Sequence, residues 1–152
     1  MSVSTPDYNR KWYVMAAIGI GLLLSTIDGS IVNIAMPTLA ESFSSSIAGV
    51  QWVTTAYLLT NATLLLSIGR LGDMIGKKRI YVSGFVVFTL GSLLCGLAPT
   101  LSLLITARVL QGIGASMMFA LGAGILTESF PPSERGMALG FSSTTVSIGI
   151  VT

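Results

Sequence analysis

No Asp, Glu, Lys or Arg lies between Lys11 and Asp28, Glu41 and Arg70, Arg79 and Arg108, Arg108 and Glu128, or after Arg135. These uncharged intervals constrain the fold more than any other feature of the chain. A helix that crosses the hydrocarbon of a bilayer needs about 20 mostly apolar residues. Water is absent there, so the backbone must satisfy its own hydrogen bonds, which a helix does within one segment. Composition agrees: apolar residues make up 52% of the chain and charged residues 9%, against roughly 25% charge in soluble domains. The predicted fold is an all-α integral membrane protein with five transmembrane helices near residues 12–36, 49–70, 80–98, 101–126 and 136–152, preceded by a short tail over residues 1–11.

The remaining charges are sorted by topology. Arg10 and Lys11 precede the first span, Arg70, Lys77, Lys78 and Arg79 fall between the second and third, and Arg135 falls between the fourth and fifth. The segments 37–48 and 98–101 carry no Lys or Arg. Positive charge resists translocation, so this asymmetry predicts a multi-pass protein of the cell membrane with a cytoplasmic N-terminus. The net charge of +2 follows from that arrangement and gives no reason to expect a nucleic-acid partner. Cleavage of a leader after Arg10-Lys11 is not expected, because the uncharged run outlasts a signal h-region and no small-residue pattern closes it.

The connections are short. The segment from Gly69 to Arg79 reads as a basic loop whose glycines let two helices reverse within a few residues. Pro37 is expected to end the first helix, Ala98-Pro99-Thr100 to make a tight turn, and Pro131-Pro132 to stop the fourth helix with Ser133 available to cap the fifth. Trp12, Tyr13, Trp52 and Tyr81 are expected near span ends, where amphipathic rings sit among headgroups. Gly112, Ser116, Ala120 and Gly124 form a small-residue stripe on the fourth span, and Gly136 and Gly140 begin another on the fifth, which suits close packing in lipid. Cys95, the single cysteine, reads as a packing residue with no disulfide available.

Two charges, Asp28 and Arg108, fall inside spans. A charge near the bilayer centre costs at least about 2.5–3.5 kcal/mol on insertion scales, so each requires a reason. Counting along the helices puts Asp28 about 6 Å and Arg108 about 10 Å below the same outer surface. The two could therefore share a polar cavity, paired directly or bridged by water. Asp28 is either half of a structural ion pair or a carboxylate that handles protons or cations. Arg108 stays protonated, so it can balance Asp28 or organise nearby polar groups but cannot carry the proton. Asn33, Asn61 and Gln111 are candidate lining residues of that cavity, or interhelical glue, and Thr54 shares a face with Asn61.

Enzymatic chemistry has little to stand on. The chain has no histidine, no nucleophile–base pair and no cluster with metal-ligand spacing. Gly72-Asp-Met-Ile-Gly-Lys-Lys is one residue short of a phosphate loop and lacks its Ser or Thr, and Gly112-Ile-Gly114 lacks the third glycine of a dinucleotide fingerprint. Neither an enzyme nor a metal or organic cofactor is expected.

Three motifs carry a family resemblance. Gly69-x-Leu71-Gly-Asp73-x-x-Gly76-Lys77-Lys78 resembles the loop between the second and third helices of the major facilitator superfamily, with Met74 in place of the usual basic residue. Arg108-Val-Leu-Gln111-Gly112-Ile-Gly114-Ala115 is similar to the fourth-helix motif associated with its proton-coupled members. Asp28-Gly-Ser-Ile-Val-Asn33-Ile-Ala35-Met-Pro37 resembles the first-helix motif of the fourteen-helix drug:proton antiporters, with Ser30 for threonine and Met36 for leucine.

The resemblance implies an incomplete N-terminal six-helix bundle, residues 12–152 being part of the first half of a transporter. It implies multidrug efflux by alternating access, driven by the proton gradient. Asp28 would handle protons or cations and Arg108 would tune it. The loop, through Gly69, Asp73, Gly76, Lys77 and Lys78, would latch the two halves together. The expected partners are the bilayer, protons, an amphipathic and often cationic small molecule, and the remaining helices of a twelve- or fourteen-helix protein. Five helices are less than one half, so the chain is expected to be a fragment that does not transport alone. The alternatives are a superfamily exporter of a metabolite or antibiotic, and a non-transporting membrane protein that associates through its glycine stripes.

Overall fold

A computed structural model describes residues 10–151. It is all helix and turn: α1 (Lys11–Ser42), α2 (Ile47–Ile75), α3 (Lys77–Gly96), α4 (Leu101–Ser129) and α5 (Arg135–Val151). The first four are long and apolar enough to cross a membrane. α5 is described for 17 residues, about 26 Å of helix, and the end of the expected fifth span, Thr152, lies outside the described residues, as does most of the 1–11 tail. Consecutive helices reverse direction, so all Lys and Arg except Arg108 gather at one end of the bundle, called here the basic end.

Helix lengths depart from the expected spans where local signals meet packing. α1 does not stop at Pro37 but continues to Ser42 with the proline inside it. Proline removes one backbone donor. The following turn is retained because Met36, Leu39, Ala40 and Phe43 pack on Val50, Val53 and Leu104 at the end away from the basic residues. The basic loop is also shorter than expected. α2 runs through Gly69 and Asp73 to Ile75, and Gly76 alone separates it from α3. Gly76 has φ +111°, a conformation that residues with a Cβ rarely adopt. At the far end, Ser46 Oγ accepts from Gly49 N at 3.2 Å and Thr100 Oγ1 from Leu103 N at 3.3 Å, so both returning helices are capped. α5 starts at Arg135, so the cap position falls on Glu134 and Ser133 lies one residue too early.

α4 is the hub. Half of its most apolar window is buried, against 17–28% for the other three long helices. It packs mainly on α3 and α2, while α1 packs mainly on α5 and touches α4. The main core joins Ile18, Leu22, Tyr57, Phe88, Met118, Leu121 and Leu126. Met118 is fully enclosed, whereas Ile20, Ile34, Leu66 and Leu97 stand exposed on the outer faces, as suits lipid contact. Trp12, Tyr13 and Trp52 are exposed near helix ends as expected. Tyr81 is not, being buried against α1 with its hydroxyl 3.5 Å from Ile18 O.

Glycines set the closest approaches. A Cβ on Gly114 would meet Phe88 Cα and Gly84 O, each at 2.7 Å, and one on Gly91 would meet Gln111 N, Cα and Cβ, all at 2.8 Å. α3 and α4 therefore touch backbone to backbone. Gly112, one residue of the expected stripe, meets α2 instead, with Tyr57 O at 2.9 Å. Gly136 and Gly140 face open space among the described residues, and the α1–α5 seam is made by Gly19 against Phe141 and Gly149 against Thr26.

Candidate functional site

The two charges inside the spans meet. Arg108 Nη1 donates to Asp28 Oδ2 at 2.5 Å and to Gln111 Oε1 at 2.8 Å. Gln111 Nε2 donates to Asp28 Oδ1 at 2.9 Å, which closes the triangle. Arg108 and Gln111 lie one turn apart on α4, so a single helix face presents both to α1. The arginine side chain is 5% exposed and the aspartate 19%, so the carboxylate is the less enclosed member. Together the pair is nearly neutral, which answers the cost of placing either charge in an apolar bundle. Removing one partner leaves the other charge buried and unpaired, a change worth about 3–5 kcal/mol in protein interiors.

Three further residues support the triangle. Cys95 Sγ donates to Gln111 Oε1 at 3.6 Å, an approach made possible by Gly91 one turn earlier on α3. The ring of Tyr57 lies under the guanidinium, 5.7 Å from Cζ to centroid, and its hydroxyl is 2.8 Å from Ser25 Oγ. Two buried polar atoms, Arg108 Nε and Thr54 Oγ1, have no hydrogen-bond partner among the described residues. The site thus draws side chains from α1, α2, α3 and α4.

Of the expected lining residues, Gln111 is central, Asn33 is exposed on α1, and Asn61 is half-buried on α2. Neither asparagine shares a hydrogen bond with the triangle. Ser25, Tyr57 and Cys95 are missing from the expectation. A tyrosine mid-span needs a partner for its hydroxyl, and that was the one available signal.

A second cluster lies at the basic end. Lys77 Nζ is 2.5 Å from Glu128 Oε1 on α4 and 3.4 Å from Asp73 Oδ1, one turn back on α2. Gly76 is the hinge residue between them, Lys78 is exposed, and Gly69 sits within α2. Glu128 is the member that spacing alone did not reveal. Nearby, Lys11 Nζ meets Glu134 Oε2 at 2.5 Å and lies 5.6 Å from the ring centroids of both Trp12 and Phe130. A cleft of 780 Å³ opens here among Arg10, Lys11, Asp73, Lys77 and Glu128, and it touches no member of the triangle.

A bundle of long apolar helices with a carboxylate–guanidinium pair in its interior describes a helical membrane protein. Residues 18–152 match the Major Facilitator Superfamily, and the chain belongs to that family. It is similar to riboflavin transporter RibZ of Clostridioides difficile, 46% identical over 140 residues, which cover 92% of this chain and 31% of that protein. It also resembles multidrug resistance protein Stp of Mycobacterium tuberculosis, 38% identical over 139 residues, covering 91% and 26%. A third relative is the tetracenomycin C resistance and export protein of Streptomyces glaucescens, 34% identical over 137 residues, covering 90% and 26%. The chain spans between a quarter and a third of the length of these curated relatives.

Proposed function

We propose that the chain is part of a proton-coupled exporter of amphipathic, often cationic compounds that works by alternating access. The carrying observation is the pair Asp28–Arg108, closed by Gln111 inside the bundle, with Asp28 as its less enclosed member. Asp28 takes up the proton. Its neutral form no longer makes an ion pair with Arg108, and the weakened contact changes how α1 and α4 hold together. Arg108 keeps its charge throughout and acts on Asp28, not on the proton. Energy comes from the proton gradient, with no other cofactor.

At the basic end, Asp73 and Lys77 serve as a latch toward helices that follow this segment, with Gly76 shaping the turn. The basic end faces the cytoplasm of a cell membrane, in keeping with its lysines and arginines. Two relatives with resistance or export in their names favour drugs and antibiotics as cargo. A second reading, transport of a metabolite, is favoured by the 46% identity to a riboflavin transporter.

The test uses the full-length protein in proteoliposomes. Asp28→Asn keeps one acceptor oxygen where the carboxylate offered one each to Arg108 and Gln111, and it cannot ionise; it is expected to abolish drug-for-proton exchange while leaving insertion intact. Exchange that persists unchanged would remove Asp28 from the mechanism. A drug-susceptibility panel in a pump-deficient host, run beside a riboflavin transport assay, separates the two cargo readings.

A further inference from the structure

Among the described residues, Arg108 is held by hydrogen bonds at one corner only. Nη1 serves both of its acceptors, Asp28 Oδ2 and Gln111 Oε1, while Nε is buried without a partner among the described residues. An aromatic ring covers part of the cation. The 5.7 Å from Cζ to the Tyr57 centroid is within the ~6 Å over which a ring quadrupole attracts a guanidinium. Tyr57 is itself firmly held. It is 6% exposed, and its hydroxyl is 2.8 Å from Ser25 Oγ, in a residue 3% exposed. Ser25 lies one turn before Asp28 on α1, so the ring is tied to the helix that supplies the carboxylate. Gly112 fixes the other side, since α4 approaches the Tyr57 backbone too closely there for a side chain. None of these contacts needs a charge on Asp28.

We propose that Tyr57, pinned through its hydroxyl by Ser25, is a positioning residue that keeps Arg108 seated when Asp28 is neutral. The inference rests on the proposed function, in which the neutral carboxyl is a state the cycle visits. In that state the arginine loses its ion pair and is left with neutral oxygens, that of Gln111 and at most one of residue 28, and with the π face. Without the ring, neutral acceptors alone would hold a guanidinium that is only 5% exposed. The guanidinium would then swing toward solvent and draw α1 and α4 apart.

A double-mutant cycle on the apparent thermal midpoint of the purified full-length protein, at one fixed scan rate, tests this. Asp28→Asn holds the carboxyl position neutral, Tyr57→Leu removes the ring, and Tyr57→Phe keeps the ring while losing the tie to Ser25. Tyr57→Leu is expected to lower the midpoint by about 2–4 °C more in the Asp28→Asn background than in the wild type. That excess is expected to vanish when Arg108 is replaced by Gln and to be largely recovered by Tyr57→Phe. Equal penalties in both backgrounds, or an excess that survives Arg108→Gln, would overturn the proposal and leave Tyr57 as apolar packing. If Tyr57→Leu does not fold, Tyr57→Met carries the same cycle with more of the volume retained. The readout does not require transport, so failure of proton coupling at Asp28 and failure of this inference are separate results.

Discussion

Gly91→Ala is the sharpest test of how the site is held. A methyl group at this position of α3 would lie 2.8 Å from three atoms of Gln111: its N, Cα and Cβ. Two of the three are backbone, so no rotamer change relieves the contact. The helices must separate until these distances approach ordinary contact, 3.4 Å or more. Overpacking of this kind typically costs about 1–3 kcal/mol. Alanine also gains roughly 0.5–1 kcal/mol over glycine in a helix, so the net loss is at most about 2.5 kcal/mol. By the usual scaling of about 2–4 °C per kcal/mol for 150–250 residues, the thermal midpoint falls by up to about 10 °C.

The displacement falls on the residue that Cys95 and Arg108 both address. Separation of α3 from α4 lengthens the 3.6 Å contact between Cys95 Sγ and Gln111 Oε1 and uncovers the thiol, so alkylation of Cys95 is expected to quicken. Gly96→Ala is the control, because a Cβ there meets nothing within 4 Å. It should leave both readings unchanged or raise the midpoint slightly. A Gly91→Ala protein with wild-type midpoint and wild-type alkylation rate would refute the backbone-to-backbone account of the α3–α4 seam.

Two further outcomes follow from the basic end. Gly76→Ala places a Cβ on a residue with φ +111°, and is expected to destabilise by about 1–3 kcal/mol, read as a lower thermal midpoint that Gly69→Ala, in open helix, does not share. Lys77→Ala removes contacts to Asp73 and Glu128, whose side chains are 67% and 63% exposed, so its stability cost should stay within about 1 kcal/mol and shrink in high salt when midpoints are compared across ionic strength.

The sequence showed the site's charges and hid most of its support. Asp28 and Arg108 stood out because a charge inside an apolar span is costly, and counting along the helices put them at similar depth. Gln111 followed from its one-turn spacing to Arg108. Tyr57, Ser25 and Cys95 carry no such mark, since each is ordinary in an apolar helix and acquires its role only from the neighbouring helix. Tyr81 shows the same limit from the other side: its position near a span end suggested the interface, and packing on α1 buried it. Local breakers misled wherever tertiary contact could override them. Pro37 costs one backbone hydrogen bond, and the apolar cluster around Val50 and Leu104 holds the helix beyond it.

Placement of the arginine on α4 has a physical reason. A guanidinium offers five donors and two faces, so it needs partners on several sides to be tolerated away from water. A peripheral helix would give it lipid on one side. α4 is the helix that packs on α1, α2 and α3 together, and it alone can show Arg108 to Asp28, to Tyr57 and, through Gln111, to Cys95. Lipid tails supply no hydrophobic force to press those helices together, so their closeness depends on small residues and on the polar contacts themselves. Gly112 brings the α2 backbone against α4 one turn from Arg108, and Gly91 brings α3 against Gln111. The glycines and the ion pair are therefore parts of one arrangement: the first set the distances at which the second can form. A change at Gly91 or Gly112 should be felt at Asp28, although neither glycine takes part in its hydrogen bonds.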